Sequence, residues 1–99
     1  MTEKELNSII GRNIKKYRKL YSLTYEPITQ EQLAEIINVS VSLISSLESE
    51  KTNKGISINN LYKISIVLKT PVSKFFESDV KWISKNTFIM KTIILLLQH

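Results

Sequence analysis

The stretch Thr29–Lys51, TQEQLAEIINVSVSLISSLESEK, constrains this chain more than any other. Leu33, Ala34, Ile36 and Ile37 recur at helical spacing, and Ile44 and Leu47 do so again, three residues apart. Each group predicts a short helix with one apolar face. Thr29 stands where a cap belongs, and Gln32, three residues on, completes a capping box. Ser40 is placed to cap the second helix. Between the two lies Asn38, the non-glycine residue most at ease in the left-handed conformation of a sharp helix–helix turn. Ala34 has the size this corner requires, because a larger side chain would hold the helices apart.

The rest of the chain supplies a core for that pair. From Asn7 to about Leu23, Ile10, Ile14, Tyr17, Leu20 and Tyr21 recur every three or four residues, which predicts an amphipathic first helix. Its other face carries Arg12, Lys15, Lys16, Arg18 and Lys19. Residues 1–6 read as a frayed end, with Thr2 available as a cap ahead of Glu3 and Glu5. Ser22–Ile28 is a long connection in which Pro27 ends any helix. It either extends the first helix or forms a small loop carrying Tyr25. After the polar loop Ser49–Ile56, Ser57 can cap a fourth helix that buries Ile58, Leu61, Ile64, Ser65 and Leu68. Thr70-Pro71 then predicts a short fifth helix to Phe76, with Thr70 as cap, Pro71 in the first helical position, and Val72, Phe75 and Phe76 inside.

A chain of 99 residues with 42% hydrophobic content, two glycines and two prolines suits one packed helical core. Cysteine is missing, so disulfides and thiolate metal sites are excluded, which fits the expected cytoplasmic location. Residues 1–20 contain no apolar run of signal-peptide length. The longest apolar stretch, Phe88–Leu97, is broken by Lys91 and Thr92 and is about half of the ~20 residues a membrane span requires. No membrane partner is therefore expected. The tail from Glu77 nevertheless holds Val80, Trp82, Ile83 and most of residues 88–97, too apolar to be left in water. It either folds back on the domain or pairs with a second copy. Pairing is the favoured reading, because the preceding helices already complete a core. Trp82, Ile83, Phe88, Ile89, Ile93, Leu96 and Leu97 are the candidate dimerisation residues, and the same segment could receive a protein partner.

Catalysis has little to stand on. The one histidine is His99, the glycines are Gly11 and Gly55 and form no phosphate-binding loop, and no metal-ligand cluster is visible. No cofactor and no metal are expected.

The spacing of Leu33-Ala34, Asn38-Val39, Ile44 and Leu47-Glu48 resembles the helix-turn-helix of Xre-type regulators, the class of Cro and lambda repressor. Asn38 replaces the family's usual glycine, and Glu48-Ser49-Glu50 replaces its common Glu-Asn-Gly or Glu-Arg-Gly ending. The resemblance covers roughly residues 7–77. It implies an all-α, five-helix lambda-repressor-like DNA-binding domain over residues 1–77, with residues 78–99 an additional apolar C-terminal helical extension. It further implies a transcriptional regulator, most often a repressor, reading a palindromic operator in double-stranded DNA as a homodimer. An antitoxin or antirepressor that binds another protein is the alternative, since such domains occur there too.

Val41, Ser42, Ser45 and Ser46 are the expected groove-side positions on the second helix of the motif, and by the same resemblance Val41, Ser42 and Ser45 are the ones that read bases most often. Gln30, Arg12, Lys16, Ser40, Lys51, Asn53 and Lys54 are candidates for phosphate contact, which sets register without reading sequence. Glu48 is expected to be buried and paired with Arg18, while Ala34, Asn38, Ile44 and Leu47 hold the motif's shape. The charge pattern tempers this reading. The net charge is +5, yet residues 1–54 hold eight bases and seven acids, and Thr29–Ser49 holds three acids and no base. Any positive surface toward phosphate must come from the flanks.

Overall fold

The computed structural model describes residues 1–49 and 53–78, and among these it forms four α-helices and one 3-10 helix, with no strand. The first helix, α1, runs over Glu3–Thr24 and is longer than its apolar spacing predicts. Thr2 Oγ1 accepts a hydrogen bond from the Glu5 N–H at 3.1 Å, and two acids sit in the positive first turn, so residues 3–6 are helical rather than frayed. At the other end the helix absorbs Ser22–Thr24. Ser22 Oγ donates to the Arg18 carbonyl at 3.0 Å and accepts from the Ile28 N–H at 3.0 Å. That clamp turns the chain back and seats Ile28 in the core.

Helix α2 spans Gln30–Ile37, with both bonds of the Thr29–Gln32 capping box present. Asn38 adopts φ 60° and ψ 51°. The N–H groups of Asn38 and Val39 donate to the carbonyls of Glu35 and Ala34 at 3.2 and 2.9 Å, satisfying the end of the helix within the turn. Helix α3 follows at Val41–Glu48, where Ser40 Oγ accepts from the Leu43 N–H at 3.1 Å. Helix α4 covers Ile58–Val67, capped by Ser57. Lys69, at φ 52°, ends it in the left-handed region, and the Thr70 N–H reaches the Ser65 carbonyl at 3.0 Å.

The expected fifth α-helix is a 3-10 helix, Val72–Phe76. Thr70 does not cap it, for its hydroxyl donates to the Leu68 carbonyl at 3.0 Å, and Pro71 lies outside the helix with ψ 139°. Of the three expected apolar residues only Phe75 is buried, and at three residues per turn Phe76 is rotated by about 120° from it. Val72 and Phe76 are exposed. Leu20, Ile36 and Ile58, also expected inside, are exposed as well. Each lies on the far edge of an apolar stripe whose centre alone meets a neighbour. In α2 that centre is Leu33, Ala34 and Ile37.

The core joins Ile10 and Ile14 of α1 to Leu33, Ile37, Ile44, Leu47, Leu61, Ile64, Leu68 and Phe75. Tyr17 meets Phe75 edge-on, with ring centroids 5.4 Å apart. Two residues of α1 bring its neighbours close. Gly11 lies against the backbone of Leu47 in α3, where a Cβ would collide with the Leu47 carbonyl oxygen. Asn13 is buried and its Nδ2 donates to the carbonyls of Phe75 and Glu77 at 2.8 and 2.9 Å, tying the 3-10 helix to α1.

Candidate nucleic-acid interface

Helix α3 is anchored on one side and open on the other. Ile44 and Leu47 are buried, whereas Val41, Ser42 and Ser45 are exposed. Ser46 is half-buried, and its carbonyl accepts from the Ser49 hydroxyl at 3.1 Å. The side chains that face out from the first turns are thus a valine and two serines. Serine can donate to or accept from any base edge, and valine can pack against a thymine methyl. The bidentate pairings available to Arg, Gln or Asn have no carrier here.

The inner end of α3 is held by charge. Glu48 is buried, and Arg18 grips both of its oxygens: Nε donates to Oε2 at 2.8 Å and a terminal nitrogen to Oε1 at 2.9 Å. This fork geometry is the strong form of an ion pair. The remaining terminal nitrogen of Arg18 donates to the Ile28 carbonyl at 3.1 Å, and Gln30 Nε2 donates to Glu48 Oε1 at 3.0 Å. The hydrogen bond to Glu48 raises the Arg18 pKa, burial opposes this, and the charges of Glu48 and Glu31 add to the rise. A raised folded-state value means the contribution from Arg18's charge is complete throughout the neutral range and falls away only as pH rises into strong alkali.

The candidate phosphate contacts divide into three groups. On α1, Lys15, Lys16 and Lys19 are exposed and Arg12 is half-buried. The ammonium of Lys16 lies 5.3 Å from the Tyr17 ring centroid. Arg18, on the same basic run, is committed to Glu48. At the motif itself, the Ser40 hydroxyl is engaged as a cap, and Gln30 has one amide N–H on Glu48, a carboxamide having two. Beyond α3, Asn53 and Lys54 are exposed, and Asn53 Oδ1 accepts from Asn7 Nδ2 at 3.0 Å, which fixes the loop against the start of α1. Lys51 and the seven candidate dimerisation residues, Trp82 to Leu97, lie outside the described residues.

Sequence reasoning alone does not single out Gly11, Asn13 or Asn7. Asn13 carries a signal, as a polar residue between Ile10 and Ile14 on a helix face otherwise apolar. Gly11 carries a weaker one, as a glycine inside a helix, where it is unfavourable by about 1 kcal/mol unless close packing requires it. Among the described residues no group of three or more acidic, histidine or cysteine side chains could hold a metal, and no helix is long and apolar enough to cross a membrane.

A capped helix, a left-handed corner and a second capped helix with one face anchored and one face open define a helix-turn-helix domain. The helix-turn-helix family model matches residues 14–75, and the chain belongs to this family, the Xre and lambda-repressor type. It is a family of DNA-binding regulatory domains. No curated protein matches the chain at a significant level.

Proposed function

We propose that this protein is a transcriptional regulator, acting as a repressor, that docks α3 in the major groove of a palindromic operator. The observation that carries the reading is the exposed triad Val41, Ser42 and Ser45 on a helix whose opposite side is fixed by Ile44, Leu47 and the Arg18–Glu48 pair. In a helix-turn-helix the N-terminal residues of this helix meet base edges while the preceding helix crosses the backbone. Two serines and a valine supply modest discrimination, so the sequence-dependent shape of DNA shares the reading. Lys15, Lys16 and Lys19 on one flank and Lys51, Asn53 and Lys54 on the other supply the phosphate contacts. With so few bases per protomer, binding gains from a dimer that sets two α3 helices about 34 Å apart. The apolar residues beyond 78 are the pairing segment in this reading.

Selection of bound sequences from random DNA, with the mass of the unbound protein measured alongside, tests the proposal. The expected product is a palindrome bound by a dimer. Ser42→Ala/Ser45→Ala should weaken the selected site by roughly tenfold or more, from the removal of two hydrogen bonds of about 1 kcal/mol each. Lys51→Ala/Lys54→Ala should weaken all sequences alike and flatten the salt dependence by about 0.9 for each phosphate no longer neutralised. A second reading, an antitoxin or antirepressor binding another protein, is supported by the base-free motif and the exposed Ile36, Tyr62 and Ile66. It prevails if both double variants leave DNA binding unchanged.

A further inference from the structure

Away from α3, the domain carries an apolar groove. Adjoining hollows between α2 and α4 share Ile36 and Val67, and a third, sharing Tyr62 and Ile66, continues to Val72. Ile36, Tyr62 and Ile66 are 59%, 60% and 61% exposed, an unusual fate for three large apolar side chains on one face. Glu26 and Glu35 make one end acidic, while Lys63 and Lys69 line the hollows further along. None of these residues has a part in the α3 surface described above.

We infer that this groove is the seat of the same chain's C-terminal segment, residues 80–97. Three observations choose that occupant. The segment is apolar and basic, with Trp82, Ile83 and Ile89 among its apolar residues and Lys81, Lys85 and Lys91 among its charges, so it matches an apolar floor with an acidic end. It is also within reach. Val72 lines the groove, and six residues at no more than ~3.6 Å each put Ser78 within roughly 20 Å of it. Finally, a tether that short gives an effective concentration on the order of millimolar, which favours the chain's own segment over one from a separate molecule. Wound as a helix, the segment would carry apolar residues on nearly all sides, so seating one side would leave the opposite side for the pairing of two copies.

Zero-length carbodiimide cross-linking of the full-length protein, mixed equally from ordinary and nitrogen-15-labelled chains, tests this by mass spectrometry. The expected result is Glu26 or Glu35 joined to Lys81, Lys85 or Lys91 in single-isotope links, with no mixed-isotope link. The Lys74–Glu77 pair, 3.4 Å apart, is the internal standard. Ile66→Lys, at an exposed position that leaves the core intact, should abolish those links while keeping the standard and the helical dichroism. Mixed-isotope links making up about half of the total, as random pairing of two copies gives, would overturn the inference in favour of a second copy as occupant. It is equally overturned if the standard forms without any link to Glu26 or Glu35, or if Ile66→Lys leaves the links in place.

Discussion

The α1–α3 side and the α2–α4 side of this domain are built from similar apolar stripes and finish differently. Where α1 meets α3, the helices touch backbone to backbone at Gly11 and Leu47, half-buried Arg18 pairs with buried Glu48, and buried Asn13 beside them is satisfied by the 3-10 helix. Where α2 meets α4, the packing covers Leu33, Ile37, Leu61 and Ile64 but leaves Ile36, Tyr62 and Ile66 outside. The first side is specified by polar pairing and glycine, both intolerant of exchange. The second relies on nonspecific burial and has apolar surface to spare. Precision is concentrated where α3 must be aimed.

The sharpest way to break this contrast is to remove a charge from the first side. Arg18→Met leaves Glu48 buried with Gln30 as its remaining partner, and should lower unfolding free energy in urea by about 3–5 kcal/mol. Arg18→Met/Glu48→Leu should recover most of that loss, because a well-packed apolar pair of similar volume is often neutral. Gly11→Ala comes next. Alanine favours a helix by about 1 kcal/mol over glycine, yet the collision with Leu47 should reverse the sign and destabilise by about 2 kcal/mol net. Asn13→Ala strands the Phe75 and Glu77 carbonyls and should cost about 2 kcal/mol, with exchange protection at the 3-10 helix falling first. On the other side, Ile58→Ser should change stability by less than about 0.5 kcal/mol, since Ile58 is 78% exposed. A loss there as large as that of Gly11→Ala would erase the distinction between the two sides.

Legibility in the sequence follows the same divide. Caps and corners are readable because they depend on a few adjacent residues: Thr29 with Gln32, Asn38, Ser40 and Ser57 all act locally. Burial at the edges of stripes is not, because periodicity gives a direction around a helix but not the width of the neighbour that will cover it. Ile36 and Ile58 escape prediction for that reason. Phe76 escapes it because the last element winds at three residues per turn rather than 3.6. Of the candidate interface, the exposure of Val41, Ser42 and Ser45 follows from the inward spacing of Ile44 and Leu47. The attachment of Asn53 to Asn7, 46 residues away, has no local signature.

Three helices converge on Glu48, which is held by Arg18 from α1 and Gln30 from α2 while standing at the end of α3. The aim of α3 is therefore set at its buried end, and the residues at its open end are not needed to keep it there. If Val41, Ser42 and Ser45 read the bases as proposed, a lineage carrying this frame can exchange them for other side chains and acquire a new target without rebuilding the domain. On that reading, the same separation makes those three positions the natural ones to randomise when engineering altered specificity.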